Sequence, residues 1–250
     1  MLVVGLTGGI ASGKSSVSKI LAAHQLPIID ADLLAREVVA PGTPGLSQII
    51  HEFGGEVLQP DGTLDRAKLG SIIFNDAAKR KKLNAIVHPA VRKAMIMNAL
   101  RYWMRGEKIC VMDVPLLIEA GFWRFMGKVV VVYCSREIQL QRLMKRDGSS
   151  REDATSRLDS QLPLSDKLRF ADQVLDNSGS VQDLEQQVER LIRRMNKEVS
   201  WTWRINWYIP PLGLLLGALK LLWRNMKHSR SGRRRRKGES DENIELRPRL

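Results

Sequence analysis

Gly8-Gly9-Ile10-Ala11-Ser12-Gly13-Lys14-Ser15 has the full spacing of a phosphate-binding loop. Glycines let backbone amides turn inward around phosphate oxygens, and the start of the following helix adds the positive end of its dipole. Lys14 reaches the outer phosphates as a mobile charge, and Ser15 offers a hydroxyl to Mg2+. This is nucleoside triphosphate chemistry. A second cluster, Asp30-Ala31-Asp32, follows the next apolar run. In an open α/β sheet ligands gather at the carboxyl ends of the strands, which puts these carboxylates beside the phosphate loop. Asp32 reads as the base that takes the proton from an acceptor hydroxyl attacking the γ-phosphorus. Its alternatives are a ligand to a magnesium-bound water, or the N-cap of a helix over 33–39. Asp30 reads as a structural or metal-shell partner.

The elements that must hold these residues alternate in type. Leu2–Leu6 is a short continuous apolar run, as expected of a strand buried on both faces, and Lys14–His24 reads as the helix after it. Leu26–Asp30, Ile109–Met112, Val129–Cys134 and Gln173–Leu175 supply four more strands. With helical patterns between them, the expected fold is α/β, a five-stranded parallel sheet flanked by helices. Val181, Leu184, Val188, Leu191, Ile192, Met195 and Val199 make the packing stripe of a closing helix. The stretch 42–106 is too long for a simple crossover. Helical patterns at Ser47–Phe53, Arg66–Ser71, Asp76–Val87 and Ala90–Arg105 make it a helical insertion able to cover a substrate, with His88-Pro89 read as a helix break.

A chain of 250 residues with 44% hydrophobic and 27% charged residues is ordinary globular material. Cys110 and Cys134 sit in apolar runs, so they read as buried reduced thiols and not as a zinc framework. The net charge of +13 is concentrated at one end: residues 201–250 carry 12 Lys/Arg against 4 Asp/Glu. Nucleic acid is therefore not an expected partner. Met1 runs straight into the first strand without a basic leader. Residues 199–224 are apolar, with Trp201, Trp203, Trp207 and Tyr208 at one end and Trp223 at the other. The uncharged run Ile205–Leu219 is shorter than the ~20 residues a spanning helix needs. A short span that Lys220 extends to Trp223 by snorkelling, a hairpin bent at Pro210-Pro211, or an in-plane amphipathic helix with Arg233–Lys237 on anionic headgroups is expected. Cytosolic flanks on both sides favour the last two. A soluble partner-binding or nuclear-targeting tail is the competing reading. Residues 225–250 read as disordered.

Thr7-Gly-Gly-Ile-Ala-Ser-Gly-Lys-Ser15, Ile29-Asp-Ala-Asp-Leu-Leu-Ala-Arg36, Asp61-Gly-Thr-Leu-Asp-Arg66, Asn84-Ala-Ile-Val-His-Pro89 and Val114-Pro-Leu-Leu-Ile-Glu119 together resemble the dephospho-coenzyme A kinases, over about residues 1–198. The resemblance is to the eukaryotic type with a membrane-associating tail. It implies ATP-dependent phosphorylation of the ribose 3′-hydroxyl of dephospho-CoA, with Mg2+. On that resemblance Asp32 is the base, Thr7, Arg36 and His88 bind the acceptor, and Asp113 joins Ser15 at magnesium. Arg142 and Arg146, one helical turn apart, belong to a lid over 140–165 that closes on the transferring phosphate. Asn177 lines the adenine pocket. The resemblance also brings in the adenylyltransferase that precedes this step as a partner, and a cytosol-facing location on the endoplasmic reticulum or outer mitochondrial membrane. Another small-acceptor kinase, for a nucleotide or sugar acid, would use the same loop and Asp32. A membrane scaffold with a vestigial nucleotide site is a weaker rival, because Lys14, Ser15 and Asp32 are all intact. A switch GTPase is excluded: its Asn-Lys-x-Asp signature is met only by Asn196-Lys197-Glu198-Val199.

Overall fold

The computed structural model describes residues 1–74, 76–199, 218, 219, 221–223, 225 and 226. Five parallel strands form one sheet in the order β2-β3-β1-β4-β5. The strands are β1 (Leu2–Gly8), β2 (Ile28–Asp30), β3 (Ile109–Asp113), β4 (Lys128–Tyr133) and β5 (Gln173–Asp176). Each of the five predicted strands is present. The central strands β1, β3 and β4 are largely apolar runs because both faces are covered. Val4, Leu6, Ile109, Val111, Val130 and Val132 face a core closed by helices α1 (Lys14–Ala23) and, at the end of the chain, α9. The intervening Cys110, Met112, Val129 and Val131 face a second core on the other side. Both cysteines are buried and free, and burial pushes the Cys110 thiol up to about 12.

Helix α2 (Ala31–Glu37) starts directly from β2, and α3 (Pro44–Phe53), α4 (Arg66–Phe74) and α5 (Ala77–Met104) follow. Val39, Ile49, Val57 and Leu69 form a separate small core with Phe53, Ile72, Leu83, Ile86 and Val87, so this region has apolar contacts of its own. One expectation fails here. The two helices read on either side of His88-Pro89 are a single helix, with Pro89 inside it. Proline removes the donor to the carbonyl four residues back. However, Leu83, Ile86 and Val87 anchor one half in the small core, while Val91, Ala94 and Met95 anchor the other against the sheet. Burial on both sides holds the axis through one missing hydrogen bond.

Helices α6 (Arg136–Asp147) and α7 (Arg151–Asp159) follow β4, then the short α8 (Leu164–Lys167) leads into β5. Ser135 and Ser150 cap the first two through their side chains. Leu140, Leu143, Ala154 and Leu158 pack together and against Ile10 and Ala11, which ties this pair of helices to the phosphate loop. Helix α9 (Val181–Glu198) opens on a capping box between Ser180 and Asp183 and buries Leu184, Val188, Leu191 and Met195. No helix among the described residues is long and apolar enough to cross a membrane. Most of the 199–224 segment and of the 225–250 tail lies outside the described residues; within it, the Asn225 amide donates to the Arg124 carbonyl at 3.3 Å.

Candidate active site

β1 lies at the centre of the sheet, and the phosphate loop leaves its carboxyl end and turns into α1. Gly13, the residue before α1, has a φ of 90°, and the place a Cβ would take is filled by the Asn177 side-chain amide. A side chain there would be both strained and displaced. Ala11 takes a φ of 57°, a left-handed conformation that an L-residue adopts only when its surroundings impose it. The Ser12 hydroxyl and Arg142 Nη1 are buried beside this loop with no hydrogen-bond partner among the described residues. Buried donors without acceptors, next to a helix N-terminus, suit nucleotide phosphates.

Sheet register decides which acids meet the loop. Asp30 and Asp113 are paired residues at the ends of β2 and β3. The Asp113 carboxylate is buried and forms an ion pair with the Lys14 ammonium. Burial holds its pKa above the ordinary value of 3.8, against the pull of Lys14 and of the Ser18 hydroxyl. The carboxylate of Asp30 accepts from the amides of Asp32 (2.8 Å) and Leu33 (3.0 Å), so Asp30 is the N-cap of α2. That overturns the cap reading of Asp32, which lies in the first turn, exposed, its carboxylate making no hydrogen bond or ion pair among the described residues. Arg36 follows one turn later on the same helix, also exposed.

Other expected site residues have different placements. Thr7 is buried, and its hydroxyl donates to the Pro115 carbonyl at 2.8 Å, which takes it away from any acceptor-binding surface. His88 is exposed on α5. Arg142 reaches the loop region, donating to the Asn177 carbonyl at 2.9 Å. Arg146 does not join it: its guanidinium pairs with Asp147, which Arg157 also holds at 2.8 Å. Asn177 turns its amide not outward to a base but onto the Ser12 carbonyl, at 2.8 Å.

A loop of this kind, with an unpaired carboxylate two strands away across β3 and a helical body with its own small core, is an arrangement suited to phosphoryl transfer. The sequence profile of the family described as dephospho-CoA kinase matches residues 2–183. This chain belongs to the dephospho-CoA kinase family. A dephospho-CoA kinase of Arabidopsis thaliana is 44% identical over 206 residues, covering 82% of this chain and 89% of that protein. One from Oceanobacillus iheyensis is 48% identical over 195 residues, covering 78% and 98%. The dephospho-CoA kinase structure from Campylobacter jejuni superposes with a TM-score of 0.56 at 31% identity, covering 78% of this chain and 97% of that one. Plant and bacterial relatives of the family thus match at similar identity.

Several side chains around the loop had no sequence signal of their own. Gln139 in α6 donates to the Ile10 carbonyl (2.7 Å), and Gln161 accepts from the Ile10 amide (3.1 Å). Lys167, fully buried, pairs with Glu119 at 2.7 Å and donates to the Gly8 carbonyl at 3.3 Å. A glutamine in a polar helix is unremarkable as sequence; only a lysine with no solvent access betrays its role, and burial is a tertiary property.

The buried Asp113 predicts a pH signature. Its folded pKa lies above its unfolded one, so the native state binds the extra proton between the two values. Stability therefore falls as pH rises from 3.8 through the raised pKa, and the cost is complete above it. Asp113→Asn is expected to lack this component. Urea unfolding of both proteins across that range checks it, and parallel curves would show that Asp113 is not held up by burial.

Proposed function

We propose that this enzyme transfers the γ-phosphoryl group of ATP to the ribose 3′-hydroxyl of dephospho-CoA, releasing ADP and coenzyme A. The observation that carries the reading is Asp32. Its carboxylate stands free in the first turn of α2, because Asp30 has taken over the capping of that helix. The hydroxyl oxygen forms its bond to the γ-phosphorus, the bond to the β–γ bridging oxygen breaks, and ADP leaves with that electron pair. The hydroxyl proton passes to Asp32. Lys14 leaves Asp113 for the phosphate oxygens, and Arg142 supplies a guanidinium from α6 over the transferring group. Arg36, on the same face of α2 as Asp32, meets acceptor phosphates. The helical region 42–106 receives the acceptor, and the region 140–165 closes over the phosphates.

The oxygen donors at the loop suit Mg2+. The exposed Ser15 hydroxyl and the Asp113 carboxylate would hold it, and the bound ion would neutralise charge on the β- and γ-phosphate oxygens. No group of three or more metal-ligating side chains occurs among the described residues. An ion that keeps several waters and phosphate oxygens does not require one.

The carboxy-terminal segment attaches the kinase to the cytosolic side of a membrane. Its support is compositional: an apolar stretch with tryptophans at both ends, followed by Arg233–Lys237. One experiment addresses both parts. ADP release is measured for the full chain and for residues 1–199 with dephospho-CoA, AMP, gluconate and shikimate, alongside sedimentation with anionic vesicles. Both forms are expected to turn over dephospho-CoA alone, giving the 3′-phosphorylated product, while only the full chain sediments. Turnover of another acceptor would discard the substrate assignment. Sedimentation of residues 1–199, or a soluble full chain, would discard the membrane role of the tail.

A further inference from the structure

Three side chains from outside the phosphate loop donate to its carbonyls at alternate residues. Lys167 of α8 takes Gly8 at 3.3 Å, Gln139 of α6 takes Ile10 at 2.7 Å, and Asn177 after β5 takes Ser12 at 2.8 Å. The Gly9 carbonyl is occupied as well, by the amide of Ser12 at 3.1 Å. A trans peptide is planar, with its C=O and the following N–H pointing in opposite directions. Each pinned carbonyl therefore fixes the next amide on the far side of the peptide from the donor. Those amides belong to Gly9, Ala11 and Gly13.

The backbone angles show that this orientation is imposed. The positive φ values in the loop fall on Ala11 (57°) and Gly13 (90°), the residues that follow the carbonyls held by Gln139 and Asn177. Rotating either peptide by half a turn would relieve the positive φ and put a carbonyl where the amide had been. Gly13 tolerates its conformation; Ala11 does not, and Gln139 opposes the rotation there. The glycine positions support the same reading. The space that a Cβ on Gly9 would occupy is held by the Gln139 amide nitrogen, and that on Gly13 by the Asn177 amide nitrogen. These glycines admit the side chains that hold the loop.

We propose that Gln139, Asn177 and Lys167 are positioning residues that keep the loop carbonyls turned away from the nucleotide and the Gly9, Ala11 and Gly13 amides turned toward its phosphates. The inference rests on the reading of this loop as a nucleotide site, but not on the acceptor. A carbonyl oxygen facing a phosphate repels it; an amide binds it. The three donors come from α6, α8 and the β5–α9 connection, on either side of the 140–165 region in sequence, so elements far along the chain from the loop set its affinity.

The test reads affinity by calorimetry in the full chain, with ATP, ADP and phosphate-free adenosine as probes. Gln139→Met keeps the length and removes the donor. Lys167→Met combined with Glu119→Gln removes the second donor and, with it, the carboxylate that the Lys167 ammonium pairs with, so no charge is left without its partner. Each is expected to weaken ATP and ADP about tenfold or more, the scale of one lost hydrogen bond and a misdirected dipole, with adenosine affinity and thermal midpoint little changed. Adding Ala11→Gly to Gln139→Met is expected to restore part of the loss, because a glycine holds the left-handed conformation without support. Unchanged ADP affinity in either folded variant would overturn the proposal, and so would an equal loss of adenosine. If one variant does not fold, the other decides alone. Binding is measured without acceptor, so a wrong substrate assignment would leave this result intact.

Discussion

Lys14→Met lowers kcat/KM by about 10³-fold or more while leaving a folded protein. Methionine keeps the unbranched stem along the start of α1 and removes only the ammonium. That ammonium has two successive tasks. Before nucleotide binds, it is the partner of the buried Asp113 carboxylate. In the proposed transfer it stands against the phosphate oxygens as charge moves onto the β–γ bridge. The loss of the first task is softened because Asp113 already has a raised pKa and can take up a proton. The loss of the second has no substitute. Lys14→Arg is expected to fail nearly as badly, because a planar guanidinium fills more space than the loop gives a compact ammonium. Steady-state rates with dephospho-CoA and ATP check this. A Lys14→Met enzyme within tenfold of the parent would mean that the ammonium is not at the transferring phosphate.

Asp32→Asn lowers kcat by ~10²–10⁴ with ATP affinity unchanged. The substitution is isosteric, the residue is exposed, and it makes no hydrogen bond that holds α2 in place. Loss of rate without loss of fold or binding would therefore report the proton acceptor alone. Asp30→Asn is the matched comparison. Asparagine caps a helix about as well as aspartate does, so the amides of Asp32 and Leu33 keep their acceptor and α2 stays in register. The expected effect at position 30 is at least tenfold smaller than at position 32. Stopped assays on the two purified variants, with calorimetric ATP titration, measure the contrast. Equal rates for Asp32→Asn and the parent would remove Asp32 from the chemistry; a larger loss at Asp30 would exchange the two roles.

What was legible in advance follows from the range of the interactions concerned. Strand positions, the phosphate loop and the closing helix are written in patterns a few residues long. Val129–Cys134 cannot be anything but buried, and Gly8 to Ser15 carries its own turn chemistry. The Pro89 reading failed because a local rule was applied to a helix whose two halves are held by separate cores. Thr7 was misplaced for the opposite reason. It sits beside the loop in sequence, but alternation along β1 points its hydroxyl inward to Pro115, 108 residues away.

The sequence by itself determined the class of fold, the phosphate loop and the carboxylate pair after β2, because each depends on neighbours in the chain. The tertiary structure decided which of Asp30 and Asp32 is free, since only one of them can cap α2. It also decided that Asp113 answers Lys14 across 99 residues, because β3 lies beside β1 and its last residue ends at the loop. The loop's own conformation was decided last and from furthest away. Asn177 is 165 positions from Ser12 and Lys167 is 159 from Gly8. A peptide's orientation depends on the donor that meets its carbonyl, and no local pattern records where that donor comes from.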